Sequence, residues 1–348
     1  MMDFRTGPRR IALVAAGVTA ALSLAACAST DAPAATSGGG TAKTVTLSLV
    51  AYSTPQAAYE KIEAAFQKTP AGKNVKFTQS YGASGDQSRA VESGLPADYV
   101  AFSLDTDMER LVKDKIVAAG WNSDQNKGEI TNSVVALVVR KGNPKNIKTF
   151  ADLTKKGVDV ITPNPFSSGA ARWNIMGVYG SQKKAGKTDA QATAFLTKVM
   201  KNVSVQDDSG RAALQTFTGG KGDVLISYEN DAIFAKQNGQ DVDYVVPDST
   251  LLIENPAAVT ANSKHPKEAK AFLDFAHTPE AQKIFAQNGY RPVVKGADTA
   301  GQNFPTPSSL FTIQDLGGWD AVATKFFDVD KGVVTAIERS LGVSVQKK

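Results

Sequence analysis

Cysteine is almost missing from this chain: Cys27 is the single one in 348 residues. A disulfide framework is thereby excluded, and the fold has to rest on a core of its own. Histidine is nearly as scarce, with His265 and His277 alone. Two imidazoles and one thiol argue against a zinc or haem site, and no metal or cofactor is implied. An excess of one charge is lacking too. The 39 basic and 34 acidic residues leave +5, too weak and too dispersed to argue for a nucleic-acid partner. Past residue 26 no apolar run is long enough to span a bilayer, and no repeat of solenoid type is visible.

What is present begins with an address. Arg5, Arg9 and Arg10 form a basic start, and residues 11–26 are apolar and small. That run is too short and too alanine-rich for a membrane span, and it reads as a signal peptide over residues 1–26. It ends in Leu24-Ala25-Ala26-Cys27, which resembles a bacterial lipobox. The expectation is an exported chain, lipidated at Cys27 and held at the outer face of the cytoplasmic membrane. The alternative is an ordinary cleaved signal with an incidental cysteine. Residues 27–43, with Gly38-Gly39-Gly40 and many Ser, Thr, Pro and Ala, read as a flexible tether.

From residue 44 on, short apolar runs alternate with helical periodicity. The first strand is expected over 44–51. Others are expected near 75–78, 99–102, 133–140, 158–161, 203–205, 224–227, 242–246 and 257–260. Helices fall between most of them, which is the α/β signature of parallel sheets covered by helices. The far end turns helical over 266–276 and 279–288, with a last amphipathic stretch at 333–341.

One local pattern occurs three times: a β-like run, a Ser/Gly turn, then a helix-like run. The copies hold Gly82-Ala83-Ser84-Gly85, Ser167-Ser168-Gly169-Ala170 and Asp208-Ser209-Gly210-Arg211. A helix start carries unpaired N–H groups and a partial positive charge. Small residues let an anion approach that backbone, and serine adds a neutral donor. Three such turns facing one point would hold an oxyanion without a cationic side chain. Taken singly, each reads first as an ordinary helix cap.

Several longer stretches together resemble the bacterial sulfate-binding proteins that feed ABC transporters. They are Leu137-Val138-Val139-Arg140-Lys141-Gly142-Asn143-Pro144, Thr162-Pro163-Asn164-Pro165, Ser168-Gly169-Ala170-Ala171-Arg172-Trp173-Asn174, Gly222-Asp223-Val224 and Tyr290-Arg291-Pro292. The resemblance runs from about residue 44 to about 337. It implies an α/β, two-lobed type II periplasmic-binding-protein fold, each lobe a central sheet flanked by helices, with the ligand in the cleft between. It places one lobe at 44–132 plus 232–345 and the other at 133–231, with crossings near 133–139 and 227–231. It also implies a monomer that hands sulfate or thiosulfate to permease and ATPase subunits.

Carried over residue by residue, the resemblance makes Ser53, Ser84, Ser168, Gly169, Ala170, Gly210 and Tyr228 the sulfate contacts. Arg172 would brace the site from behind. Ser53 stands where the family often has Asp, and Tyr228 where it has an indole. Ala170 replaces a glycine, and Asp86 replaces a frequent lysine. Sulfate is fully ionised at neutral pH and offers acceptors only, so a site of donors alone satisfies it. A protonated phosphate facing that site would leave a buried polar group unpaired, at a cost of roughly 1–3 kcal/mol. Asp86 could supply the missing acceptor, which keeps phosphate as an alternative beside molybdate and tungstate. The remaining alternative is an enzyme, a serine hydrolase with Ser84 as nucleophile and His265 or His277 as base. Gly82-Ala83-Ser84-Gly85-Asp86 fails the G-x-S-x-G elbow at its last position.

Overall fold

The computed structural model describes residues 43–345. The expected signal peptide, Cys27 and the tether as far as residue 42 lie outside the described residues. The chain opens with β1 (Val45–Tyr52), α1 (Gln56–Phe66), β2 (Val75–Gly82), α2 (Ser84–Glu92), β3 (Tyr99–Ala101) and α3 (Asp105–Lys113). The long β4 (Glu129–Arg140) leads to β5 (Val160–Ile161), α4 (Gly169–Lys184), α5 (Asp189–Met200), β6 (Val203–Val205), α6 (Gly210–Thr218) and β7 (Val224–Tyr228). Then come α7 (Glu229–Gln237), β8 (Val242–Val245) and β9 (Ser249–Val259). The end of the chain holds α8 (Pro266–Ala276), α9 (Pro279–Gln287), β10 (Ser309–Phe311), α10 (Gly318–Phe327) and α11 (Val333–Ser340).

The strands order as β2-β1-β3-β9-β4-β7-β5-β6, with β10 on β9 and β8 on β4. At one end β1 pairs in parallel with β2 and β3. At the other, β5 pairs in parallel with β6 and β7. The helical segments between those parallel strands are the crossovers that parallel pairing requires. β4 and β9 belong to both ends. Residues 129–134 of β4 pair with β9, and Val135–Val139 pair with β7. Ser133 to Val139 are all buried, which is why this segment reads as a continuous apolar run and not as an alternating one.

Each end has its own core. Around β1 and β3, Leu47, Tyr59, Phe66, Phe272 and Phe285 pack together, with the Tyr59 and Phe285 rings edge to face at 5.6 Å. Around β4, β5 and β7, a larger core holds Leu137, Val160, Trp173, Leu196, Ile226 and Trp319. Trp173 is fully buried, its ring 4.6 Å from that of Trp319 and perpendicular to it. It is a packing residue, as its place inside an apolar helix face suggests.

The topology departs from the expected partition in two places. After Tyr228 the chain does not return to the first end. Instead, α7 and β8 follow, and β8 pairs with β4 from Leu137 to Arg140. The return runs along β9, twenty residues later than the expected crossing at 227–231. The closing helices α10 and α11 also pack into the core around β4, through Val322, Phe326, Val334 and Ile337. Amphipathic patterning gives a helix an inward face but does not say against which sheet that face is placed.

Candidate ligand-binding site

The site is built from the carboxyl ends of parallel strands. β1 ends at Tyr52 and turns through Ser53 and Thr54. β2 ends at Gly82, and Ala83 is the extended residue (φ −63°, ψ 136°) from which α2 starts at Ser84. Ser168 (φ −100°, ψ 123°) precedes α4, and Ser209 (φ −144°, ψ 163°) precedes α6. Each extended residue swings the first N–H groups of the following helix outward, where they lack an intrahelical acceptor.

All four turns line one small, tight cavity. Its wall is Tyr52, Ser53, Thr54, Gly82, Ala83, Ser84, Ser103, Ser168, Ala170, Ser209 and Gly210. None of these side chains carries a charge. Five expected contacts (Ser53, Ser84, Ser168, Ala170 and Gly210) are therefore brought together although they lie up to 157 positions apart. Close packing explains the glycines. A Cβ on Gly210 would sit 3.3 Å from Thr54 Cγ2 and 3.4 Å from Ala170 Cβ. One on Gly169 would sit 2.6 Å from Ser103 Oγ and 2.8 Å from Leu104 Cγ. Gly169 is thus pressed against the opposite wall and is not itself among the residues facing the cavity.

The three serines at the helix starts are used differently. Ser209 is a true cap, its hydroxyl accepting from Ala212 N–H at 3.2 Å. Ser84 is the first residue of α2, and its hydroxyl donates to buried Asp107 at 2.7 Å and accepts Ser103 N–H at 2.9 Å. Its proton is committed away from the cavity, which leaves its backbone N–H as the donor for a ligand. Ser168 stands at the cap position of α4 and makes no cap hydrogen bond. Its hydroxyl is the uncommitted one.

Ionic groups stand one layer back. Asp107 is met by Arg110 at 3.1 Å. Arg211 donates to the Thr54 carbonyl at 2.6 Å, and its guanidinium lies 3.9 Å over the Phe234 ring. Asp231, fully buried behind Gly210, is pushed up by loss of water, with Arg211 and a 2.9 Å bond from Ser227 acting the other way. Arg172 donates to the Pro165 carbonyl at 2.9 Å and lies over the Phe327 ring. It thereby fixes the loop that leads into Ser168 and lies outside the cavity wall.

Two expectations fare differently. Tyr228 is fully buried and is absent from the cavity wall. Its phenol stops 2.7 Å from Ser103 Oγ, so it stands behind Ser103. Asp86 forms an ion pair with Arg89 and lines a separate cavity with Asn164, Phe166, Ser167, Gln206 and Asp208. It supplies no acceptor to the small cavity. The histidines are also elsewhere. His277 bonds the Leu273 and Glu129 carbonyls, and His265 precedes α8. Sequence reasoning missed Ser103 and Thr54. Thr54 follows β1 and Ser103 follows β3, which pairs with β1, and the order Ala101-Phe102-Ser103-Leu104-Asp105 is a fourth strand–turn–helix signal.

With this geometry in place, the chain can be compared with known proteins. A family model described as bacterial extracellular solute-binding protein matches residues 47–291. A sulfate-binding protein of Synechococcus elongatus is 44% identical over 316 residues, covering 88% of this chain and 89% of that one. A thiosulfate-binding protein of Escherichia coli is 36% identical over 280 residues, covering 76% and 82%. Among solved structures, the sulfate-binding protein SubI from Mycobacterium tuberculosis superposes with a TM-score of 0.79 at 44% identity. It covers 82% of this chain and all of that one.

Proposed function

Because this chain belongs to the bacterial extracellular solute-binding proteins, and among them to the sulfate-binding group, we propose that it captures sulfate in the small cavity and delivers it to an ABC importer. It is a binding protein and not an enzyme. One observation carries the reading of the site: three helix starts and a strand-end turn meet at a cavity whose wall has no charged side chain. N–H groups of Ala170 and Gly210, with those of Ser53 and Ser84, supply neutral dipoles. Ser168 supplies a hydroxyl. Such dipoles hold a dianion without burying a further charge and its desolvation cost.

The same wall argues for selectivity. With Asp86 paired to Arg89 outside the cavity, a phosphate proton finds no carboxylate on the wall. Thiosulfate shares sulfate's shape and charge and remains the second reading, favoured by the thiosulfate-binding relative. The lobes are taken to hinge along β4 and β9, the two strands shared by both ends of the sheet. Anchoring through a lipid on Cys27 and action as a monomer beside permease and ATPase subunits complete the proposal.

The deciding experiment is calorimetry on the mature protein, stripped of ligand by unfolding and refolding. Sulfate, thiosulfate, phosphate, molybdate and tungstate are titrated separately. Tight sulfate binding with phosphate weaker by at least two orders of magnitude is expected. Phosphate binding as tight as sulfate would overturn the reading.

A further inference from the structure

Ser103 was not among the expected contacts, yet it is the residue on which the two walls converge. Its carbonyl accepts from Trp173 Nε1 at 2.7 Å and from Asn255 Nδ2 at 3.3 Å. Its N–H donates to Ser84 Oγ. Its hydroxyl oxygen lies against Gly169, at the first residue of α4, and 2.7 Å from the Tyr228 hydroxyl. Ser103 is 1% exposed and lines the cavity.

The direction of the Ser103–Tyr228 bond follows from proton accounting. A hydroxyl has one proton and two lone pairs. Tyr228 is fully buried with Ser103 Oγ 2.7 Å from its hydroxyl, while the carboxamide oxygen of nearby Asn255 already accepts from Thr131. Asn255, the other polar neighbour, turns its amide N–H toward Ser103. A buried phenol that kept its proton unpaired would be costly, so Tyr228 donates and Ser103 accepts. The Ser103 proton is then left over, and Ser103 faces the cavity.

We infer that Ser103 is a ligand-contacting hydroxyl donor and that Tyr228 is a positioning residue acting through it, the phenol orienting the Ser103 proton toward the bound oxyanion. This rests on the sulfate reading of the cavity. It accounts for the departure at position 228. An indole would donate to the ligand directly, whereas this phenol hands the donor role to the serine in front of it. In chemical terms, Ser103 stands as a neutral donor beside Ser168.

A double-mutant cycle read by sulfate calorimetry tests the inference. The proteins are wild type, Ser103→Ala, Tyr228→Phe and the double variant, all refolded free of ligand, with thermal melts of the ligand-free forms as a control. Ser103→Ala should weaken sulfate by about ten- to a hundredfold, the range for losing a hydrogen bond to a charged group. Tyr228→Phe should weaken it by about three- to tenfold. The double variant should match Ser103→Ala within about twofold, because the phenol then has no proton to orient. Ser103→Cys, of similar size but a poor donor, should behave as Ser103→Ala and excludes a packing artefact. A merely structural Tyr228 would make the two losses multiply, and that result overturns the inference. So does a Ser103→Ala protein that binds sulfate as wild type does. Wild-type protein that binds none of the five oxyanions would sink the sulfate reading itself.

Discussion

The turns at Ser84 and Ser168 look alike in sequence, each a strand, a Ser-Gly step and a helix, yet their hydroxyls do opposite things. Ser84 is tied to Asp107 and to Ser103 N–H, so it holds its own wall together. Ser168, across the cavity, makes no cap bond and keeps its hydroxyl for something else. The third copy, Ser209, does what a cap residue ordinarily does. A helix-start serine therefore has three possible fates, and the deciding factor is what the neighbouring strand places beside it. Where an acid such as Asp107 arrives from α3, the hydroxyl becomes structural. Where nothing arrives, it is free for a ligand.

The largest effect should come from closing the gap between these walls. Gly169→Ala puts a methyl group 2.6 Å from Ser103 Oγ and 2.8 Å from Leu104 Cγ. Overpacking of this kind costs roughly 1–3 kcal/mol, and here it adds to the displaced N–H donors. Sulfate affinity should fall by at least a hundredfold, while the melting temperature without ligand drops only slightly. Affinity within threefold of wild type would show that the walls need not meet at this point.

Ser168→Ala should come next, with a loss of roughly 1–3 kcal/mol in sulfate binding and a nearly unchanged melt. Ser84→Ala should show the reverse balance. It leaves one oxygen of Asp107 and the Ser103 N–H without a partner, while Arg110 stays on the other Asp107 oxygen, so stability should fall by roughly 1–3 kcal/mol, read by denaturant unfolding, with the smaller change in affinity. Equal affinity losses at both serines would erase the contrast drawn between the two turns.

The smallest effect separates the cavity from the hinge strands. Glu129 on β4 is pushed up to about 8, first by burial and then by Glu254 on β9 and by Asp105. Asp105 at the start of α3 is likewise raised to about 7, by burial first. A carboxyl whose folded value is raised binds more protons folded than unfolded, so stability should decline as pH rises between about 4.5 and about 8. Glu129→Gln should flatten that slope in thermal melts from pH 5 to pH 8.5. Sulfate affinity over pH 5 to 8 should stay level, since neither the ligand nor the donors on the wall titrate there. An affinity that follows the melting curve would couple the hinge strands to the cavity.

Much of the fold is legible from residue order alone. The buried strand at 133–139 and the amphipathic helices at 266–276 and 279–288 are visible because a period or an unbroken apolar run marks them. β9 is only half visible. Glu254, Asn255 and Pro256 interrupt its apolar pattern, so residues 257–260 look like a strand and 249–256 do not. Pairing with β4 overrides that local signal. The return crossing at 227–231 comes from the family resemblance and not from this pattern; in the structure α7 and β8 stay beside β4 and the chain returns along β9.

The candidate site divides in the same way. Ser53, Ser84, Ser168, Ala170 and Gly210 can be picked out because short strand–turn–helix signals are local and a family pattern joins them. Ser103 and the roles of Asp107 and Tyr228 cannot, since they depend on which atoms meet across the sheet. The sequence by itself determined the class of chain, the α/β alternation and the type of chemistry, because periodicity, small residues at helix starts and scarce Cys and His are properties of residue order. Only the tertiary structure decided which hydroxyl is free, which is bound and which residue stands in front of which. Those outcomes turn on single protons and on distances of a few tenths of an ångström between segments far apart in the chain.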